Sequence, residues 1–262
     1  MRDALRAWLG ALDSAMVCFS GGVDSSYLLA EALDVLGDRA LAFTAVSPSL
    51  DPDEAAQARA LAARLGARHL LVETHELDDA RYRSNPVDRC YFCKTEVYGV
   101  ASREAARRGV TTVLDGFNRD DRGDHRPGRR AARQLGVRSP LDDLGFGKAD
   151  IRAAAQAMGL PVWDKPALAC LASRFPYGTP IDPVELRRVA RGERGLRGLG
   201  FRVVRVRHHG PLARVELGRD ELERVADPGV AREVERVVRA AGFAEVEIDP
   251  RGYRRGALNV IR

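Results

Sequence analysis

The chain has 262 residues, 45% hydrophobic and 30% charged, with a net charge of +5 and a pI near 9.3. That length fits one large domain or two ordinary ones, and no apolar run nears the ~20 residues of a membrane helix. The positive charge is nearly all arginine interleaved with Asp and Glu, a pattern of solvated helix faces and anion-gripping forks more than of a nucleic-acid surface.

The opening segment MRDALRAWLGALDSAMVCF is interrupted by Asp3, Arg6 and Asp13. It does not read as a signal peptide, and a cytoplasmic location is expected. AMVCF (15–19) predicts a short buried strand, and DSSYLLAEALDVLG (24–37) predicts a helix closed by Gly37. RALAFTAVS (39–47) is a second strand. DPDEAAQARALAARLG (51–66) is a helix whose acidic first turn suits the dipole, and RHLLVET (68–74) is a third strand. The irregular stretch 75–93 leads into the helix KTEVYGVASREAARRG (94–109), the strand VTTVLDG (110–116) and a long polar loop (117–130). The helix KADIRAAAQAMG (148–159) ends in a Pro-rich stretch, 160–183. Beyond it the pattern changes to a helix (184–200), two strands joined at His209-Gly210-Pro211, a helix (228–242) and a last strand (243–249).

Repeated strand–helix crossovers imply an α/β fold with a doubly wound parallel sheet, followed by a smaller α+β domain. The expected boundaries are 1–177 and 178–262, the small domain serving substrate binding and oligomer contacts. In such sheets ligands bind at the carboxyl ends of the strands, where strand order reverses.

SGGVDSS (20–26) lies at the carboxyl end of strand one. Ser20, Gly21 and Gly22 let the backbone approach an anion, and Val23 begins the helix whose amides and dipole face it. Ser25 and Ser26 add hydroxyl donors. A Walker loop would carry Gly-Lys-Ser/Thr, whereas this one has Asp24, which suits Mg²⁺ or a helix cap. The four cysteines behave differently. Cys18 falls within an apolar strand and reads as core, whereas Cys90 and Cys93 form a CxxC that fits zinc, a redox pair or part of an iron–sulfur cluster. Cys170 is the third candidate ligand.

SGGVDSS on a strand–turn–helix resembles the pyrophosphate loop of the PP-loop ATPases, which implies cleavage of ATP between its α- and β-phosphates. Together with NPVDRCYFCK, DGFNRDDRGDHRPGRRAA, VWDKPALACLASRFPYG and FRVVRVRHHGPLARVEL, the chain resembles the ATP-dependent sulfur transferases of nickel-pincer nucleotide synthesis. The resemblance implies adenylylation of a carboxylate on a pyridinium biscarboxylic acid mononucleotide and attack by the thiolate of Cys170, favoured by Arg174. It implies ATP and Mg²⁺ as cofactors, with Asp24 catalytic and Thr44, Gly116, Asn118 and Asp121 near the nucleotide. It points to Glu193, Arg205, Arg207 and Glu216 as substrate-binding. Where such proteins carry three cysteines, as here, Cys90, Cys93 and Cys170 are expected to hold a [4Fe-4S] cluster. Cys170 giving up its own sulfur is the other route.

Alternation places Arg205 and Arg207 on one strand face, expected to point outward, with His208 and His209 at the surface. Lys94 either neutralises a phosphate or only begins a helix. The expected partners are a small-molecule nucleotide substrate and further copies of the chain as a homo-oligomer, with neither membrane nor nucleic acid. A tRNA thiolase of the same superfamily is the rival reading, and the small domain shows no aromatic stacking set for it.

Overall fold

The computed structural model describes residues 1–123, 127–166 and 169–254. In chain order the elements are α1 (Arg2–Gly10), β1 (Ala15–Cys18), α2 (Val23–Leu36), β2 (Ala40–Val46), α3 (Pro52–Arg64), β3 (Arg68–Glu73), α4 (Ala80–Arg83), α5 (Arg89–Arg107) and β4 (Thr112–Leu114). There follow α6 (Gly128–Gln134), α7 (Pro140–Asp143), α8 (Lys148–Ala157), α9 (Pro183–Gly198), β5 (Val204–His209), β6 (Leu212–Leu217), α10 (Pro228–Ala240) and β7 (Glu245–Ile248).

Two compact units emerge, Met1–Asp79 with Asp88–Leu168, and Ala80–Val87 with Ala169–Arg262. The first holds a parallel sheet in the order β3-β2-β1-β4. β1 alternates in both directions into core. Ala15 and Val17 join Leu28, Leu29 and Ile151 on one face, and Met16 joins Phe43, Tyr98 and Val113 on the other. A strand covered on both faces has no polar side to alternate with, which is why AMVC reads as a continuous apolar run. The chain winds from β1 outward to β3 and then returns to the far side of β1 as β4. The order therefore reverses between β1 and β4, and the loops after these two strands share one crevice at the carboxyl ends.

The second unit is α+β. β5 and β6 form an antiparallel hairpin, β7 adds in parallel to β6, and α9 and α10 pack together beside the sheet. The helices come close because Gly195 faces Val237: a Cβ there would lie 3.1 Å from the valine Cβ. Both helices start on an Asp–Pro pair, with Asp182 and Asp227 accepting first-turn amides.

Three differences from the sequence reading have physical causes. α5 begins at Arg89 instead of 94 and takes in both cysteines of the CxxC. The unit boundary falls at Leu168, ahead of Cys170 and Arg174, and 80–87 belong to the second unit. Those eight residues are tied there by Asn85, fully buried at φ 54°, whose amide side chain donates to the carbonyls of Pro176 (2.8 Å) and Thr179 (3.0 Å). Asn tolerates this left-handed backbone better than most residues.

Candidate active site

In the first unit the loop after β1 is organised by its own hydroxyls. The Ser20 amide donates to Ser25 Oγ (3.2 Å), and that hydroxyl donates to the Gly22 carbonyl (3.2 Å). Gly21 holds φ +71°, with Ala58 so near that a Cβ would come within 3.1 Å of the alanine Cβ. Gly116, after β4, lies on the start of α2, where a Cβ would stand 3.0 Å from the Ser25 amide nitrogen. Only glycine fits either place, so the first turn of α2 stays open to an anion between two strand ends. This cradle suits the polyphosphate of ATP.

Asp24 is mostly buried, and its Oδ1 has no partner among the described residues. Its other oxygen is paired with the ammonium of Lys148, the first residue of α8. Burial pushes the Asp24 carboxyl up, Lys148 pulls it part of the way back, and the charge of Asp121 adds to the push. An orphaned carboxylate oxygen with a second carboxylate in its field suits Mg²⁺, which takes one or two such ligands and keeps its waters. Lys165 meets the loop from another side, donating to the Gly21 carbonyl (3.3 Å), Glu54 (2.8 Å) and Gln57 (3.0 Å). Sequence reading missed both lysines. They lie 124 and 144 residues from their partners in the loop, and only the fold joins them.

The other expected nucleotide residues are placed as follows. Val23 and Ser26 are buried in the first turn of α2. Thr44 is buried, its hydroxyl donating to the Phe19 carbonyl (2.5 Å) and paired with His69 (2.8 Å), so its side chain braces the β1–β2 crevice. Asn118 is 2% exposed and accepts the Asp120 amide (3.0 Å), while its own amide donates to Asp121 (3.2 Å). Asp115, absent from the sequence reading, anchors this loop. It accepts from Ser139 (2.6 Å), Tyr98 (2.8 Å) and the Phe117 amide (3.2 Å), and burial keeps its carboxyl above the usual range.

The cysteines differ as expected in one case. Burial pushes the Cys18 thiol up to about 12, which leaves no thiolate near neutrality. Cys90 is exposed and Cys93 half-buried, one helical turn apart in the first turns of α5. Cys170 is exposed and belongs to the second unit. Among the described residues no three His, Cys, Asp or Glu form a group able to hold a metal ion. Cys90 and Cys93 thus stand in the first unit and Cys170 in the second.

In the second unit Arg174 is 2% exposed and grips Glu193 with two parallel bonds, Nε to Oε1 (2.7 Å) and Nη2 to Oε2 (2.8 Å). Its Nη1 donates to the carbonyls of Ala169 (2.5 Å) and Cys170 (2.9 Å). Glu193, fully buried, also accepts the Val206 amide (3.1 Å) on edge strand β5. Burial raises the Glu193 carboxyl, and Arg174, Arg205 and the Val206 amide more than reverse this, leaving it below its usual range. Arg174 therefore clamps the backbone of the Cys170 loop. Glu193 is an internal counter-ion with no exposed surface for substrate.

Arg205 and Arg207 share a face, but both are buried, as is Glu216. Arg207 donates to Glu216 (2.7 Å) and to the Ser173 carbonyl (3.0 Å), while its Nε–H has no partner among the described residues. Arg205 lies 4.8 Å from the Tyr253 ring centre. The outward-facing expectation fails because the Ser173 carbonyl meets Arg207 and the Tyr253 ring meets Arg205 on that side of β5. His208 is likewise buried, stacked on Phe175 at 4.6 Å and bonded to Glu185 (2.8 Å).

The parallel sheet, the crevice at its switch point and the glycine-lined loop define a nucleotide-using α/β protein of the PP-loop class. Residues 1–117 match the family model of asparagine synthase. The chain belongs to the family of the pyridinium-3,5-bisthiocarboxylic acid mononucleotide synthase of Lactiplantibacillus plantarum, to which it is 39% identical over 98% of its own length and 93% of the relative's. An uncharacterized Synechocystis protein is 45% identical over 98% of this chain and 96% of its own, and one from Methanocaldococcus jannaschii is 30% identical over 65% and 66%. No helix among the described residues is long and apolar enough to cross a membrane.

Proposed function

We propose that this protein uses ATP to activate a carboxylate of a pyridinium biscarboxylic acid mononucleotide and replaces one carboxylate oxygen by sulfur. The near full-length similarity to a bisthiocarboxylic acid mononucleotide synthase carries this reading. The substrate carboxylate attacks the α-phosphorus of ATP and pyrophosphate leaves. The loop amides around Gly21 and Gly22 orient the phosphates, and Mg²⁺ bound by Asp24 and Asp121 would neutralise their charge. Adenylylation matters because a free carboxylate is a poor electrophile, whereas an acyl adenylate carries a good leaving group.

Cys170 then supplies the nucleophile. Its thiolate attacks the acyl carbon and displaces AMP, which carries away the substrate oxygen. Loss of the Cys170 Cα proton and cleavage of its Cβ–S bond release the thiocarboxylate and leave dehydroalanine. Arg174 and Glu193 act as positioning residues, since Arg174 donates to the Cys170 carbonyl and Glu193 holds Arg174 in place. Arg207, with an unused buried donor, and Arg205 form the proposed grip on the substrate phosphate.

The test is a single turnover with ATP, Mg²⁺ and the mononucleotide, followed by mass spectrometry of protein and products. Dehydroalanine at position 170, with AMP and pyrophosphate, is the expected result. An intact Cys170 after turnover, in protein holding iron and acid-labile sulfide, would move the sulfur source to a cluster. Salt-sensitive tRNA binding with no thiocarboxylate formed would return the thiolase reading.

A further inference from the structure

Only three of the 42 basic residues are lysine: Lys94, Lys148 and Lys165. All three lie beside the nucleotide crevice of the first unit. Lys148 pairs with Asp24 and Lys165 bonds the Gly21 carbonyl. Lys94 lies over the Tyr98 ring and acts by charge on buried Asp115 at the end of β4. A chain that otherwise uses arginine has placed its compact, easily repositioned ammonium groups at one site.

Lys148 is the informative one. It is the first residue of α8, where the helix dipole disfavours a cation. Its backbone is fixed there, the amide donating to Asp120 Oδ2 (2.8 Å), while Asp150 accepts the preceding Gly147 amide (2.8 Å). The side chain is a third exposed, and it neutralises only one oxygen of Asp24, the other being buried without a partner among the described residues.

We propose that Lys148 is an exchangeable counter-ion, holding Asp24 in the nucleotide-free protein and passing to the phosphates of ATP when a divalent cation takes its place on the carboxylate. The lysine missing from the loop sequence would thus be supplied by α8. This rests on the reading of Asp24 as the cation-holding residue of an ATP site, and it is independent of the sulfur chemistry.

Competition of this kind is measurable without turnover. Mn²⁺ binding to nucleotide-free protein, followed by electron paramagnetic resonance, should tighten about tenfold in Lys148→Met, because the resident cation is gone, and return to the wild-type value in Lys148→Arg. ATP binding with Mg²⁺, followed by calorimetry, should weaken about tenfold in Lys148→Met. An unchanged Mn²⁺ affinity in Lys148→Met, with its melting temperature intact, overturns the exchange. Tighter Mn²⁺ binding with undiminished ATP affinity overturns the transfer to phosphate. In Asp24→Asn, Mn²⁺ binding should disappear; if it persists, the assignment of Asp24 has failed and the exchange falls with it.

Discussion

The two regions that matter are built on opposite principles. The loop at Ser20–Ser26 is held by its own backbone and hydroxyls, with glycines at Gly21 and Gly116 leaving room for an anion. The cluster of Arg174, Glu193, Arg205, Arg207 and Glu216 is a buried set of charges that satisfy one another. The first is a site because its glycines keep side chains away from the start of α2. The second is a clamp because side-chain donors are nearly all used, Arg207 Nε–H being the exception. Substitutions should therefore remove function in the loop and stability at the Arg174–Glu193 pair, with Arg207, whose Nε–H is unused, the one member expected to show in substrate binding.

The largest effects are expected where chemistry is direct. Gly21→Val forces a branched side chain into φ +71° against Ala58, and ATP binding measured by calorimetry should vanish while unit two melts as before. Cys170→Ala should form no thiocarboxylate, yet keep substrate-dependent exchange of pyrophosphate into ATP. Loss of both would mean that Cys170 acts before sulfur transfer.

Next comes the clamp. Glu193→Ala leaves the Arg174 guanidinium buried without its carboxylate and should cost about 3–5 kcal/mol, a drop of roughly 10 °C in Tm. The folded-state value of Glu193 is depressed, so its stabilisation is full above the ordinary Glu range and is lost as pH falls through the folded value. Wild type should show this acid loss by calorimetry, and Glu193→Gln should flatten it. A stable Glu193→Ala protein with low activity would make Glu193 a participant in the reaction instead of a counter-ion.

Arg207→Ala should raise KM for the mononucleotide about tenfold with kcat little changed, by steady-state kinetics. Unchanged KM would make Arg207 purely structural. The smallest effect is expected at Thr44, where Thr44→Val removes one buried hydroxyl and should cost about 1 kcal/mol in urea unfolding, without loss of ATP affinity.

The same contrast explains what the sequence discloses. The strand, glycine turn and helix at 15–36 are adjacent in the chain, so apolar run, glycines and helix spacing could be read together. Period-two alternation correctly joins Arg205 and Arg207 on one face but is silent on what meets that face, which here is Ser173 and Tyr253. The start of α5 was hidden because RSNPVDRC is polar, although Asp88 stands at the N-cap position after Pro86. Lys148 and Lys165 were hidden by separation alone. Their signal was rarity in an arginine-rich chain, and Lys148, at the first position of a helix, opposes the dipole as well.

The central claim is that ATP adenylylates a substrate carboxylate, and the direct test follows one atom. With heavy oxygen in the carboxylates of the mononucleotide, single turnover should deliver one labelled oxygen to AMP, alongside a thiocarboxylate product. Label in inorganic phosphate, or AMP formed without label, would contradict activation by adenylylation.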